Sequence, residues 1–141
     1  MRAQNRKWQL IKIALLLLCG SSAEAKPRRL QYVPPGSWGA LHIRMEVSRD
    51  SATLEYDCAK GTIKGPLVVD RNGHFNFTGT HVREHGGPIR DNEPSNSQPA
   101  RFTGTVNGQT MKLTVTLAQS NVAIGTFVLT RGGPGRLLKC R

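Results

Sequence analysis

Apolar and polar residues alternate along most of this 141-residue chain, and the period of three to four residues that marks an amphipathic helix is nearly absent. The stretch 110–117 is an example, because every second residue from Met111 to Leu117 is apolar and the residues between them are Lys or Thr. Successive side chains of a strand point to opposite faces of a sheet. The chain is therefore predicted to be all-β, with strands that bury one face.

The alternation divides the chain into about eight strands. Turns between strands are expected at Lys60-Gly61, Asn72-Gly73 and Asn107-Gly108, because Gly and Asn tolerate the positive φ of a tight turn. The chain is predicted to have eight strands, with a break at Gly65-Pro66 in the third and a bulge or a bend at Gly79 in the fourth, which carries Phe75, Phe77 and Val82. The other strands and the third are expected over 38–47, 52–58, 62–70, 100–106, 110–117, 122–130 and 137–140. The segment Gly86–Pro99 is predicted to be an exposed, mobile loop, because its Gly, Pro and polar residues offer no apolar face to bury.

Short connections predict that strands adjacent in sequence also pair in the sheet. Because closure removes the unpaired edges of a sheet, the predicted fold is a small up-and-down antiparallel barrel of about eight strands. A two-sheet β-sandwich is the alternative. A single β-domain is expected over 38–141, after an extended lead-in over 26–37.

The first 25 residues have the pattern of a secretory signal peptide. Four basic residues precede the apolar run 13–18, and Ala23-Glu24-Ala25 follows as a cleavage site. Cleavage after Ala25 leaves 116 residues, which we expect in the periplasm or outside the cell. The alternative is a lipoprotein anchored through Cys19, although Leu18 is bulkier than that cleavage site prefers.

Two cysteines, Cys58 and Cys140, remain in the predicted mature chain. In an exported protein a pair of cysteines predicts one disulfide bond. A loop of this size gains about 4 kcal/mol of stability from the bridge in the chain-entropy model.

The predicted mature chain stays basic. Four of the 20 basic and one of the 9 acidic residues precede Lys26, so 16 and 8 remain and the net charge is +8. Such a charge favours anionic partners, and an anionic envelope component is a candidate. Nucleic acid is not expected, because few aromatic residues could stack on bases. No transmembrane segment is expected in the mature chain, and we assume a monomer.

The segment His81-Val82-Arg83-Glu84-His85 matches the H-x-x-E-H zinc motif of one class of metalloproteases. That motif works on a helix, where both histidines lie on one face. In the strand predicted here, His81 and His85 would lie about 13 Å apart, too far to share one ion. His81, Glu84 and His85 are therefore only weak metal candidates.

No other pattern predicts chemistry, so no catalytic residue and no cofactor is expected. There is no G-x-S-x-G nucleophile motif. Glu55 and Asp57, two apart on one strand, are interpreted as part of a solvated face. Trp38 is expected to plug one end of the core, although Trp38 and Tyr32 could instead line a ligand mouth.

The run from Trp38 to Cys140 resembles small exported bacterial β-proteins that carry no assigned function, and this resemblance implies no catalytic residue. It is carried by Ser37-Trp38-Gly39, His42-Ile43, Glu55-Tyr56-Asp57-Cys58-Ala59, Glu84-His85-Gly86-Gly87-Pro88, the stretch 111–117 and Lys139-Cys140. We expect a non-enzymatic binding or structural module of the bacterial envelope. The alternatives are a carrier of a small apolar ligand inside the barrel and a metal-dependent hydrolase that uses the His81–His85 segment.

Overall fold

The structure is a computed structural model that describes residues 25–88, 90–92 and 95–140. The predicted signal peptide and the alternative lipid anchor at Cys19 lie outside the described residues, except for Ala25. The described residues form ten strands: β1 (Gln31–Tyr32), β2 (Gly36–Ala40), β3 (Ile43–Val47), β4 (Ser51–Tyr56), β5 (Ala59–Lys64), β6 (Val68–Val69), β7 (His74–Arg83), β8 (Ser97–Asn107), β9 (Thr110–Leu117) and β10 (Ala123–Arg131).

Eight of these strands form a closed antiparallel barrel in the order β2–β3–β4–β5–β7–β8–β9–β10, and β10 pairs back onto β2. Each neighbour in the barrel is also the next barrel strand along the chain, so the predicted up-and-down topology is confirmed. The structure is not the alternative two-sheet sandwich. Among residues 25–88, 90–92 and 95–140, no helix is long and apolar enough to cross a membrane.

Side chains fill most of the barrel interior. Alternate residues of each strand point inward, and inward residues of neighbouring strands lie side by side, as Met45 does with Leu54 and Phe102 with Val115. Burial of this apolar surface is the main stabilising contribution to the fold. The large side chains that are almost completely buried are Trp38, Ile43, Met45, Leu54, Ile63, Leu67, Phe102, Met111, Leu113, Val115 and Leu129.

The short sheet of β1 and β6 covers one end of the barrel. Val33 and Leu67, each 2% exposed, pack against the core there. Trp38 is fully buried at this end and donates a hydrogen bond from Nε1 to the carbonyl of Pro34 at 3.0 Å. The expectation that Trp38 plugs one end of the core is confirmed. Residues 31–37 belong to the folded body, although the sequence pattern placed them in the lead-in. The pattern missed them because one apolar residue among prolines gives no periodic signal.

The predicted strand 38–47 is in fact two strands, joined by a turn at Leu41 and His42. The apolar alternation runs into this turn without interruption, which concealed it. Leu41 is 63% exposed instead of pointing inward. The turn depends on a φ of 70° at His42, a left-handed conformation that a few non-glycine residues adopt.

The turn predicted at Lys60-Gly61 is wrong, because both residues lie inside β5. The chain turns at Asp57 and Cys58 instead, and Cys58 has a φ of 58°. Neither Asp57 nor Cys58 is glycine, so composition did not mark the turn.

The alternation in β7 places His81 inside the barrel, and Val82 does not point inward as predicted. His81 is 7% exposed, whereas Val82 is only half-buried. The predicted bulge at Gly79 is also wrong, because the pairing with β5 and β8 continues through this residue. A glycine is needed there for space: a Cβ atom would lie 2.9 Å from the ring of Phe102.

The predicted last strand, 137–140, is not a strand. Residues 132–140 form an extended segment, here called the C-terminal strap, that crosses the outside of β2 and β3 to the β4–β5 turn. A Cβ atom on Gly39 would lie 2.3 Å from the carbonyl oxygen of Gly133, so the strap lies directly on the β2 backbone. One isolated β-bridge and a hydrogen bond from Leu138 N to Asp57 Oδ1 at 2.6 Å hold it, in place of a continuous ladder.

The predicted disulfide bond is present. Cys58 in the β4–β5 turn is bonded to Cys140 at the end of the strap, with their Cα atoms 5.1 Å apart and a sequence separation of 82. The bond therefore fixes the strap to the barrel.

The two predicted Asn-Gly turns are also present. Asn107-Gly108 joins β8 to β9, while Asn72-Gly73 joins β6 to β7, which do not form a hairpin ladder with each other. The long loop runs over 84–96, because β8 begins at Ser97 and so includes Pro99. The described residues of this loop are exposed except for Glu84, which is half-buried.

Candidate functional site

The barrel end opposite the β1–β6 sheet is open. The connections 41–42, 57–58, 84–96 and 118–122 surround this mouth. A cavity of about 480 Å³ opens between them, and we call it the mouth cup. The residues that line it are His42, Tyr56, Asp57, Cys58, Ala59, His81, Arg83, Asn96, Gln98, Leu117, Val122, Ile124 and Phe127.

Tyr56 and His81 form the inner wall of the mouth cup. They lie on β4 and β7, the two strands that flank β5, and Gly61 of β5 is paired with His81. A Cβ atom on Gly61 would lie 3.0 Å from Tyr56 Oη, so the missing side chain makes room for the tyrosine ring. The ring centroids of Tyr56 and His81 are 5.7 Å apart.

Each of these two side chains carries a polar atom that lacks a hydrogen-bond partner among the described residues. Tyr56 Oη and His81 Nδ1 are buried, and no atom of the described residues bonds to either. An unpaired buried polar atom costs about 1–3 kcal/mol, and folded proteins contain few of them. Two such atoms, buried just behind the wall of one cavity, make a group bound in that cavity a candidate partner.

Both groups are neutral near neutral pH. Burial, and then the positive charge of Arg83, lower the pKa of His81 below its ordinary value of 6.5. Burial raises the pKa of Tyr56 above its ordinary 10.0. A neutral imidazole has one donor and one acceptor nitrogen, and a phenol can both donate and accept. The wall therefore offers hydrogen bonds without a fixed charge.

The opposite wall of the mouth cup is apolar. The ring of Phe127 lies 5.8 Å from that of Tyr56, measured between centroids. Leu117, Val122 and Ile124 continue this wall to the rim, where Val122 is 54% exposed and Ile124 is 38% exposed. The cup is thus amphipathic, with one apolar wall and with polar side chains, among them Asp57, Arg83, Asn96 and Gln98, around the rest of its lining.

A carboxylate and a guanidinium lie at the rim. Asp57 is hydrogen-bonded to His42 Nδ1. The backbone N–H of Leu138, and then His42, hold the pKa of Asp57 below its ordinary 3.8. This carboxylate is therefore engaged in holding the turn and the strap, while Arg83 lines the cup with a positive charge.

The three residues of the H-x-x-E-H segment point in different directions. His81 enters the mouth cup, Glu84 forms an ion pair with Lys60 at 2.7 Å, and exposed His85 is hydrogen-bonded to the carbonyl of Gly86 at 3.1 Å. In the part of the chain that the structure describes, no three His, Cys, Asp or Glu side chains are arranged to hold a metal ion.

Two other sequence candidates lie away from the inner cup. Glu55 is paired on the barrel surface with Arg44 at 2.9 Å and with Lys139 at 3.7 Å, which agrees with its interpretation as part of a charged surface. Tyr32 lies at the closed end, so neither Tyr32 nor Trp38 lines the mouth.

The sequence pattern did not mark Tyr56 or Phe127 as site residues, and it indicated His81 only as a weak metal candidate. A usable signal was present, because His81 follows Phe75 and Phe77 in the same alternation. A histidine at an inward-facing strand position is a polar group in a core and needs a partner.

Comparisons of this chain with protein-family models, curated proteins and solved structures find no match. The functional interpretation therefore rests on the geometry of the mouth cup.

Proposed function

We propose that this protein is an exported binding module of the bacterial envelope. Its mouth cup takes up a group with an apolar body and a hydroxyl or carboxyl tip. The observation that carries this proposal is the pair of atoms, Tyr56 Oη and His81 Nδ1, that lie buried just behind the wall of the cavity and have no partner among the described residues. A single hydroxyl can both donate and accept, so it can satisfy either tautomer of His81.

The mouth cup is better suited to binding a ligand than to transferring a proton in catalysis. A general acid or base works best when its pKa lies near the operating pH. Burial moves the pKa of Tyr56 upward, away from neutrality. The interior below the cup is filled by buried side chains such as Phe102 and Leu54, so a ligand sits at the mouth and does not enter the barrel. The alternative function, a carrier of a small apolar ligand, is therefore supported only for a ligand held at the mouth and not for one inside the barrel.

Export is supported by two features. The N-terminal pattern is that of a signal peptide, and the two cysteines that follow it are bonded to each other. Disulfide bonds persist in oxidising compartments. Mass spectrometry of the protein from its native host should find Lys26 at the amino terminus. A diacylglyceryl group on Cys19 would support the lipid anchor instead.

The binding proposal can be tested with p-cresol and toluene, which share a ring and a methyl group and differ by one hydroxyl. Binding is followed by NMR from the aromatic signals of Tyr56 and Phe127 and the methyl signals of Ile124. We expect p-cresol to bind about fivefold more tightly than toluene, since one satisfied hydrogen bond contributes about 1 kcal/mol.

Four variants test whether the preference for p-cresol over toluene depends on the mouth cup. Tyr56→Phe and His81→Leu should reduce the preference for p-cresol over toluene to about twofold or less. Tyr32→Phe and His74→Asn make comparable changes at the closed end and should leave the preference unchanged. Equal binding of the two probes, binding of neither, or an equal loss in all four variants would contradict the proposal.

A further inference from the structure

Strand β10 extends beyond the end of its neighbour β2. Only Thr130 and Arg131 of β10 are paired with β2, which ends at Ala40. On its other side, β10 is paired with β9 from Ala123 to Thr130. Within the described residues, no strand pairs with the β2-facing side of 123–129, and we call this side the free edge.

The backbone groups at the free edge can be assigned from neighbouring hydrogen bonds. The N–H of Gly132 donates to the carbonyl of Ser37 in β2. Backbone groups of successive strand residues point alternately to the two sides, so Thr126 and Val128 also direct their N–H and C=O groups to the β2 side. The side chain of Val128 is 59% exposed, which agrees with an open position.

The free edge borders the mouth cup. Phe127 and Ile124 of β10 line the cup on this side, and Tyr56 and His42 line it across the opening. In a strand added to β10, alternate side chains would point into the cup and the others would lie beside Val128. The same partner would then pair with the β10 backbone and place a side chain in the mouth cup.

The strands on the β9 side of the free edge carry only positive charge, whereas Asp57 lines the cup across the opening. No Asp or Glu occurs from Ser95 to the end of the chain, while β8, β9 and β10 carry Arg101, Lys112 and Arg131. Lys112 lies directly beside Val128 in the sheet. An acidic strand is attracted to this wall, whereas a second copy of the protein would bring the same positive charges against it.

We propose that the free edge of β10 binds an extended, acidic peptide segment by strand addition, with one hydroxyl-tipped aromatic side chain in the mouth cup. Thr126 and Val128 supply about four backbone hydrogen bonds to this partner. Tyr56 and His81 bind the tip of its side chain. This inference rests on the proposed function and names the class of partner.

The test uses the peptide acetyl-Glu-Thr-Val-Tyr-Val-Thr-Glu-amide and two matched peptides. One replaces both Glu residues by Lys, and the other carries N-methyl groups on its three central amides. We expect the parent peptide to bind the wild-type protein at least about tenfold more tightly than either matched peptide, because the first lacks the negative charge and the second cannot pair through its backbone.

A matched pair of protein variants tests the edge itself. Val128→Pro removes an N–H from the free edge, and proline is tolerated at such positions, whereas Val128→Ala keeps the N–H. Val128→Pro should weaken binding of the parent peptide by at least about tenfold and Val128→Ala by less than about twofold. Both variants should bind p-cresol as the wild type does.

The outcomes separate this inference from the proposed function. If the parent and N-methylated peptides bind equally while p-cresol still binds in preference to toluene, the strand-addition inference is wrong and the cup proposal stands. If p-cresol does not bind, the cup proposal fails as well. A wild-type dimer that Val128→Pro converts to a monomer would assign the edge to a second copy. If Val128→Pro does not fold, the strand-addition inference is tested by comparing how the parent and N-methylated peptides bind to the wild-type protein.

Discussion

The rings of Tyr56 and His81 lie 5.7 Å apart, although 25 positions separate the two residues in the chain. The β5 strand between them brings them together, because Gly61 has no side chain to keep the rings apart. The arrangement leaves two buried polar atoms without partners among the residues that the structure describes. Under the proposed function these atoms lower stability and contribute to ligand recognition, and the two effects can be measured separately.

Tyr56→Phe should stabilise the protein that has no ligand bound. The change removes a buried hydroxyl without a partner and keeps the ring that contacts Phe127. Removing such a group should raise the free energy of unfolding by about 1 kcal/mol, measured by urea denaturation. Tyr32→Phe, at an exposed position, is the control and should change it by less than about 0.5 kcal/mol. A destabilised Tyr56→Phe would mean that the hydroxyl has a partner in the free protein.

Stability should fall as the pH is lowered below 6.5, in part because of His81. The pKa of His81 is lowered by burial, so the unfolded chain takes up a proton on this residue before the folded protein does. Its contribution is fully present above pH 6.5 and is lost as the pH falls through the lower pKa of the folded state. Denaturation curves at about pH 7 and pH 5 should show a smaller loss in His81→Leu than in the wild type. An identical loss in both would contradict the burial of this imidazole.

Asp57 and Asp70 titrate below the pH range of this measurement. The pKa of Asp57 lies below 3.8 because of the Leu138 N–H and His42, and that of Asp70 because of the His74 and Asn72 N–H groups. Their stabilising contributions are present above pH 3.8 and are lost only as the pH falls below it.

Removal of the disulfide bond should destabilise the protein strongly. The bond between Cys58 and Cys140 spans 82 residues, and a loop of that length is expected to contribute about 4 kcal/mol through the unfolded state. The double variant Cys58→Ala/Cys140→Ala should lose this amount in urea denaturation, relative to the oxidised wild type. Reduced wild type is the matched control and should resemble the variant. A loss below about 1 kcal/mol would show that the strap is held mainly by other contacts.

The loop over 84–96 should be the first site of proteolysis. Arg90 is exposed in this loop, between two strands that are paired along most of their length. Limited trypsin digestion should cut after Arg90, and the fragments should separate only under reducing conditions, because Cys58 and Cys140 lie on opposite sides of the cut. Initial cleavage elsewhere, with the loop intact, would show that the loop is protected by packing.

The barrel could be predicted from the sequence, but several strand limits could not. Eight barrel strands were expected and eight are present, partly because two errors offset each other. The stretch 38–47 is two strands, and 137–140 is not a strand. The missed turns contain His42 and Cys58, non-glycine residues with positive φ, which leave no signal in composition.

The mouth cup could not be predicted because it depends on pairing between distant segments. Tyr56 and His81 come together only through the registers of β4 with β5 and of β5 with β7. The free edge of β10 likewise depends on the unequal lengths of β2 and β10. Alternation identifies which side chains point inward, whereas the relative position of two strands follows from the closed barrel as a whole.

The central claim, that the mouth cup binds a polar-tipped apolar group, is tested most directly by intermolecular NOEs between p-cresol and the wild-type protein. We expect NOEs from the p-cresol ring to the rings of Phe127 and Tyr56, together with a shift of the His81 imidazole ¹⁵N signals as Nδ1 gains a hydrogen bond. NOEs confined to the closed end around Tyr32, or an imidazole signal that does not change at saturating p-cresol, would contradict the claim.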